Sequence, residues 1–384
     1  MSEWKKVKLK DCCIKIGSGS TPKGGSMVYV NSGTSLIRSQ NVYNLSFDYN
    51  GLTHITEDVA NKLKGVTVFN EDILLNITGD SVARTCIVPK EVLPARVNQH
   101  VAIIRTDRKK MNWRFLNYYL ASPKMQAHML SLAVGKGASR NAMTKQMIEN
   151  FEVPYPPLST QHRIATILSR YDSLIDNYQK QIKLLEEAAQ RLYKEWFIDL
   201  HFPGHENTNI IDGVPEGWEK KSITDVLEIK YGKDHKLLKE GTIPVYGTGG
   251  IMRYVEKSLF TGESVLIPRK GSLNNIMLVG GTFWTIDTMF YSIPKENNVA
   301  KIVYFYLKGV DMYSFNIGAA VPSMTVNILS GMKLLVPNED VKNKFETIAS
   351  KYFIRMHSLQ SQLRLLTEAR DRLLPKLMSG EIEI

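Results

Sequence analysis

Residues 137–197 and 318–378 are two copies of one segment, aligned without a gap at an offset of 181. Gly137-Ala138 matches Gly318-Ala319, Met143-Thr144 matches Met324-Thr325, and Pro156 matches Pro337. Farther along, Thr166-Ile167, Ser169 and Tyr171 recur as Thr347-Ile348, Ser350 and Tyr352. Gln179, Gln181, Leu184-Leu185, Glu187-Ala188 and Arg191-Leu192 recur as Gln360, Gln362, Leu365-Leu366, Glu368-Ala369 and Arg372-Leu373. All 17 identities in these 61 positions fall in one register. So long a period is not a solenoid of roughly 20–50-residue units. A whole globular part and a whole helix are used twice, which gives the chain two similar surfaces and two similar spacers. A two-part molecule suits a two-part target.

Two long helical stretches follow from that register. From about residue 160 to 197, Ile164, Tyr171, Tyr178, Leu185 and Leu192 repeat every seven residues. Leu168, Ile175, Ile182, Ala189 and Trp196 widen the stripe, and no Gly or Pro interrupts it. At the same phase in the second copy stand Phe345, Tyr352, Leu359, Leu366 and Leu373. Their companions are Ala349, Met356, Leu363 and Leu377, with Arg370 breaking the row. Five heptads at this spacing read as coiled coil. At ~1.5 Å per residue, such a helix spans roughly 57 Å. Neither stripe can be buried by its own helix, so the two are expected to pack together, antiparallel. Pro154, Pro156 and Pro157 precede the first helix, with Ser159-Thr160 as candidate N-caps; Pro337 and residues 338–340 do the same for the second. Residues 201–204 end the first helix. Pro375 is expected to kink or stop the second, and Ser379-Gly380 to close it.

The boundaries read as 1–157 for the first globular domain, 158–204 for the first spacer helix, 205–338 for the second domain, and 339–384 for the second helix and tail. Each domain opens on a Trp, Trp4 or Trp218, followed by basic and aliphatic residues. Short apolar runs at 66–69, 73–77, 101–104, 265–267 and 276–279 read as strands. Helix-like segments follow at 113–132 and 299–307, and the polar stretch 205–215 marks the interdomain boundary. The fold class is therefore α+β: two mixed α/β domains separated by two long antiparallel coiled-coil helices, with an internal pseudo-twofold repeat.

Composition excludes several classes. The 384 residues suffice for two or three domains, and no apolar run approaches the ~20 residues of a membrane-spanning helix. The start, MSEWKKVKLK, lacks the apolar stretch of a signal peptide, so a cytoplasmic protein without membrane partners is expected. Cys12, Cys13 and Cys86 make neither a CxxC pair nor an even disulfide set, and read as reduced thiols. No GxxxxGK[ST] loop occurs, and Gly17-Ser18-Gly19 and 247–250 read as tight turns or turns facing a ligand backbone. Tyr155-Pro156-Pro157 lacks the Asn of the amino-methyltransferase motif. The eight histidines form no metal cluster, and His162 reads as a helix-surface residue. No catalytic residue and no bound metal or cofactor is expected, so the chain is not expected to be an enzyme by itself.

What the globular parts do carry is basic and amide side chains on turns, with a net charge of +11 behind them. In the first domain these are Lys23, Arg38, Gln40, Asn41, Asn76, Thr78, Lys136 and Arg140. In the second they are Lys236, Arg253, Arg269, Lys270, Ser272 and Asn274. Arg and Lys can fork onto guanine N7 and O6, Asn and Gln onto adenine N6 and N7. Hydroxyls and backbone amides in glycine turns suit phosphates. Solvated loops are rich in the same residues, so each side chain stays open between the two roles.

Residues 154–168, Pro-Tyr-Pro-Pro-Leu-Ser-Thr-Gln-His-Arg-Ile-Ala-Thr-Ile-Leu, resemble the box that ends a target recognition domain in type I restriction–modification specificity subunits. Residues 374–382, Leu-Pro-Lys-Leu-Met-Ser-Gly-Glu-Ile, are similar to that family's ending, as are the Ser-Gly-Ser-Thr-Pro turn at 18–22 and Arg-Ser-Gln-Asn-Val at 38–42. The second copy, Val-Pro-Asn-Glu-Asp-Val-Lys at 336–342, departs from the box by lacking the Pro-Pro and the Gln. The resemblance covers essentially the whole chain. It implies a non-catalytic subunit whose two recognition domains each read one half of a bipartite, asymmetric site on double-stranded DNA. The helix pair would set the gap and dock two methyltransferase subunits that modify adenine with S-adenosylmethionine. Restriction/translocase subunits would join, so that ATP and Mg belong to partners as well. Two other classes stay open on the residues alone: a coiled-coil scaffold or adaptor that binds proteins, and a detached recognition half of a fused methyltransferase–nuclease.

Overall fold

The computed structural model describes residues 4–134, 141–315 and 322–384. They form two compact units, Met1–Tyr178 with Gln362–Ile384, and Gln179–Ser361. The division runs through both long helices, so each unit holds one globular domain and a segment of each helix.

In the first unit a four-stranded antiparallel sheet runs in the order Thr85–Ile87, Ile73–Asn76, Val101–Thr106, Cys13–Ser18. The two central strands read as continuous apolar runs because both faces are covered. Ile73, Leu75, Ala102 and Ile104 face one core cluster, and Leu74, Val101 and Ile103 face another, as the period of two requires. The second sheet runs Tyr29–Val30, Thr53–Ile55, Thr34–Ile37, Ala95–Val97, Thr67–Val68, with Thr34–Ile37 and Ala95–Val97 parallel.

The second unit repeats this plan. Its first sheet runs Met277–Val279, Ser264–Pro268, Met289–Pro294, Leu227–Tyr231, with Val265 and Ile267 facing one core and Leu266 the other. Its second sheet runs Gly250–Val255, Glu240–Gly247, Thr282–Thr285, Phe260–Thr261, again with the middle pair parallel. Among the described residues, the edge strand Tyr29–Val30 lacks a counterpart in that sheet. In each unit the opening strand (Lys6–Lys8 or Glu219–Ser222) pairs with the strand that leads into a long helix (Glu152–Pro154 or Lys333–Val336).

The helix-like segment at 113–132 is in fact two helices, Trp113–Ala121 and Pro123–Ala133. Pro123 has no N–H to donate and turns Ser122 to an extended conformation, which ends the first and starts the second. The long helices are Leu158–Tyr193, followed by a π-helical turn Lys194–Ile198, and Glu339–Ser379. Their starts differ by 181, the offset of the repeat. Ser159 and Thr160 lie inside the first helix rather than capping it, because the Pro157 carbonyl already accepts the Gln161 N–H. Asn338 does cap the second: its Oδ1 accepts the Val341 N–H at 3.0 Å.

Pro375 does not stop the second helix, which continues to Ser379 before Gly380 turns left-handed at φ +74. Leu374, Leu377 and Met378 are all buried in the first unit's core and hold that last turn in place. All ten expected seam residues are buried or half-buried: Ile164, Tyr171, Tyr178, Leu185, Leu192, Phe345, Tyr352, Leu359, Leu366 and Leu373. Within the second unit the helices are antiparallel, since Gln181 meets Arg355 while Phe197 meets Phe345. The boundary stretch 205–215 is a short 3-10 turn and a small hairpin, set between Phe202 and Trp218, whose rings lie 4.7 Å apart in the second unit's core.

Candidate nucleic-acid interface

Each unit carries one polar hairpin loop on the same backbone frame. In the first, strand Ile73–Asn76 turns through 77–84 into Thr85–Ile87, closed by Asn76 N–H to Arg84 O at 2.8 Å and Ala83 N–H to Asn76 O at 2.9 Å. The loop is pinned to residues 141–143 by Gly79 N–H to Asn141 O (2.9 Å) and Met143 N–H to Ile77 O (2.8 Å). In the second, Ser264–Pro268 turns through 269–276 into Met277–Val279, pinned by Gly271 N–H to Pro322 O (3.2 Å) and Met324 N–H to Arg269 O (2.8 Å). The isolated bridges Thr78–Ala142 and Lys270–Ser323 complete the match. Gly79 and Gly271 sit at φ +75 and +81, a conformation that a Cβ would strain. Beyond each pin, Thr144 and Thr325 cap a short helix through Met147 N–H and Ile328 N–H.

Around the first loop lies a concavity of about 540 Å³, lined among others by Gln40, Tyr43, Thr78, Asp80, Arg84 and Asn141. His100 forms part of its wall, held by Thr78 Oγ at 2.5 Å on one ring nitrogen and by Gln99 at 3.0 Å on the other. Gln40 and Thr78, named from the sequence, are therefore brought together. Arg38 lies outside this lining: its guanidinium donates to Gly51 O at 2.6 Å and lies 5.7 Å over Tyr29, clamping the loop at 51. Lys23 is exposed on a separate turn. Lys136 and Arg140 lie outside the described residues.

Two expected readers in the first domain are structural instead. Asn41 is fully buried, donates to Asp48 O (2.9 Å) and Asn50 O (3.3 Å), and accepts the Arg38 N–H. Asn76 is fully buried and donates to Ser39 O at 2.8 Å. Both amides satisfy backbone groups that turns leave unpaired, and neither is free to face a ligand.

In the second domain Lys270 and Ser272 are exposed on the hairpin loop. Arg269 is half-buried, donates to Asp287 O at 3.0 Å and lies 5.2 Å over Tyr231. Asn274 is a turn clamp, its amide donating to Asp311 and its carbonyl accepting the Met312 N–H at 2.8 Å. Arg253 donates to Leu238 O at 2.8 Å, and Lys236 is exposed. The glycine stretch 247–250 is the turn of the hairpin joining Glu240–Gly247 to Gly250–Val255. Sequence reading missed Tyr43, Arg84 and His100. They lie far apart in the sequence, and only the fold brings them to the loop.

Cys12 and Cys86 are buried and Cys13 half-buried, all as free thiols, and burial pushes the Cys86 thiol up to about 12. Among the described residues no group of three or more His, Cys, Asp or Glu could hold a metal ion, and no helix is long and apolar enough to cross a membrane.

Two mixed α/β domains, each presenting a polar loop on one frame and each seated on segments of the same two helices, define a class of proteins built from a duplicated domain and helix. Comparison with known proteins gives the family. The chain belongs to the family described as type I restriction modification DNA specificity domain, whose sequence profile matches residues 1–187 and again 215–359. It is 25% identical to the type I restriction enzyme MjaIX specificity subunit of Methanocaldococcus jannaschii, an alignment covering 100% of this chain and 94% of that protein. To the HindI specificity subunit of Haemophilus influenzae it is 19% identical with both chains fully covered. Its fold matches the crystal structure of the type I system S subunit from M. genitalium with a TM-score of 0.67 at 18% identity, over 98% of this chain and 96% of that one.

Proposed function

We propose that this chain is the DNA-reading subunit of a type I restriction–modification complex, each domain reading one block of a split, asymmetric sequence. The repeated loop frame carries this reading: one scaffold, built twice, holds different side chains toward solvent. Where the first loop has Thr78, the second has Lys270. A true dimer would present two identical loops and call for a palindrome; diverged copies call for two unlike blocks.

The helices would set the gap between blocks and dock partners. Leu184 and Leu365, equivalent in the repeat, are both exposed, at 63% and 58%. Exposed Glu187 and Arg191 recur as exposed Glu368 and Arg372, on the same helix face by their spacing. Packing does not require exposed residues to stay identical, so the match supports one kind of partner bound twice. We assign that role to two methyltransferase subunits carrying S-adenosylmethionine. Restriction/translocase subunits supply the ATP and Mg chemistry, and the complex works in the cytoplasm.

Inserting one heptad into both helices at matched positions keeps the apolar seam inward. It adds ~10 Å, about three base pairs at ~3.4 Å each. Methylated sites mapped in cells that carry the chain and its neighbouring methyltransferase should then show the same two blocks with a longer gap. An unchanged gap with a folded protein would remove the helices from this role.

A further inference from the structure

Arg84 is the arginine that lines the concavity around the first loop. Arg38, Arg96, Arg105 and Arg108 all spend donors on protein oxygens. The Arg84 guanidinium has no hydrogen-bond or ion-pair partner among the described residues and lies 4.5 Å over the Tyr43 ring. Both residues are held from the backbone. Arg84 O closes the hairpin onto Asn76 N–H, while the turn after Tyr43 is tied to the next strand by Leu45 N–H to Thr85 O (2.9 Å) and Thr85 N–H to Asn44 Oδ1 (3.1 Å). The ring holds the guanidinium from one side and leaves its donors unspent, inside the concavity that Gln40, Asp80 and Asn141 also line.

That lining decides what the fork meets. A phosphate track is built of donors. Here a carboxylate, two amides and a guanidinium share one groove, the mixed donor–acceptor pattern that base edges present. Asp80 disfavours an anion beside Arg84, whereas a guanine edge offers two acceptors, N7 and O6, spaced for the fork. We infer that Arg84, held against the Tyr43 ring, reads a guanine in the block assigned to the first domain; this rests on the DNA-reading function proposed above. The second domain has Ile276 at the equivalent loop exit and places its cations, Arg269 and Lys270, at the loop entrance. The two blocks therefore differ in where the cation-read base falls.

The full-length chain, purified with its modification subunit, is offered a library of randomised duplexes, and bound sequences are read for the wild type, Arg84→Ala and Arg84→Lys. The wild type should enrich two blocks. Arg84→Ala should lose the preference for guanine at one position of one block, by roughly tenfold to a hundredfold, and leave the other block intact. Arg84→Lys, which keeps the charge but not the planar guanidinium over Tyr43, should lose part of the same preference and bind more strongly than the alanine variant. Replacing that guanine by 7-deazaguanine should weaken the wild type and leave Arg84→Ala unchanged. An unaltered motif in both variants, or an equal loss on every duplex, overturns the assignment and leaves the DNA-reading function standing. A wild-type complex that enriches no two-block motif overturns both, and that result needs no variant.

Discussion

At the start of each long helix, and again three turns along or at the matching partner position, the two units seat a domain on its helices with different chemistry. In the first unit the entrance is neutral: fully buried Gln161 donates to Pro156 O at 2.9 Å and accepts the Asn112 N–H at 2.8 Å. The equivalent residue in the second is Lys342, 1% exposed, its ammonium 2.6 Å from Glu339 and 3.0 Å from Glu296. Three turns along, the order reverses. Asp172 accepts from the Tyr118 hydroxyl and pairs with Arg370 at 3.0 Å, whereas the equivalents Phe353 and Ala189 are apolar, Phe353 lying 5.8 Å from Phe305. Burial, with the Asp172 carboxylate beside it, pushes the Tyr118 phenol well above its ordinary range. Arg370, which breaks the apolar row in the sequence, is therefore half of an ion pair. Backbone frame and seating position are shared, and the polar groups have been redistributed around them.

The aromatic side of this comparison should show the largest effect. Phe345 is fully buried among Phe197 (4.9 Å), Trp196 (5.8 Å), Phe305 (6.3 Å) and Tyr193 (6.4 Å). Phe345→Ala should cost about 3–5 kcal/mol of the second unit's stability. Denaturant unfolding followed by Trp196 and Trp218 fluorescence measures it. A loss near 1 kcal/mol would mean that the aromatic cluster is not what seats this domain.

Asp172→Ala should come next. It leaves Arg370, with only 17% of its side chain exposed, to Asp371 alone at 2.9 Å, a cost of roughly 1–3 kcal/mol after allowing for that remaining partner. The triple change Tyr118→Phe, Asp172→Phe, Arg370→Ala installs the second unit's chemistry in the first and should recover most of the loss, because an apolar set of similar volume replaces the buried charges. If the triple variant is less stable than Asp172→Ala, the two seats are not interchangeable solutions.

The loops give a smaller effect, in binding rather than stability. Gln40→Ala and Lys270→Ala should each weaken binding by about 1–3 kcal/mol where the residue meets a base, and only through its own block. Titrations against duplexes altered in one block at a time separate the two. An equal loss on every duplex, with a shallower salt dependence, would assign the residue to phosphate.

The repeat register located the helix starts, because apolar heptads and the proline boundaries recur at one offset whatever the chain folds against. The central strands were located separately, by unbroken apolar runs that report burial on both faces. The loops were less legible for a physical reason. Asn41 and Asn76 have the composition of base-reading residues, yet an amide on a turn serves its own backbone as readily as a ligand. Arg84 sits alone between Ala83 and Thr85, and nothing local marks it. Its neighbour Tyr43 lies far back in the sequence, brought near only by the sheet. The Asp172–Arg370 pair likewise needs the antiparallel helix register before either charge has a meaning.

The entrance residues give the smallest effect and the cleanest contrast, since one is neutral and the other ionic. Hydrogen bonds from Lys221 at 2.7 Å and Lys342 at 3.0 Å hold the Glu296 carboxyl below the usual carboxylate range, against the opposing effect of burial. A carboxyl depressed in the folded state stabilises above its unfolded pKa and loses that contribution as pH falls through the folded value. Burial opposes the Lys342 charge, but its bonds to Glu339 and Glu296 outweigh this and raise its pKa, so that contribution fades only at strongly alkaline pH. The second unit should therefore lose stability as pH drops below about 4.5, by on the order of 0.5–1 kcal/mol for so exposed a network. Gln161, which cannot titrate, gives the first unit's entrance no such slope. Glu296→Gln should flatten the acid limb of the second unit's unfolding curve, read by Trp218 fluorescence, and leave that of the first unit unchanged. An acid limb that persists in Glu296→Gln would place the titrating group elsewhere, with the paired carboxylates Glu263 and Glu346 on buried Lys301, at 2.5 and 2.7 Å, the next to be replaced.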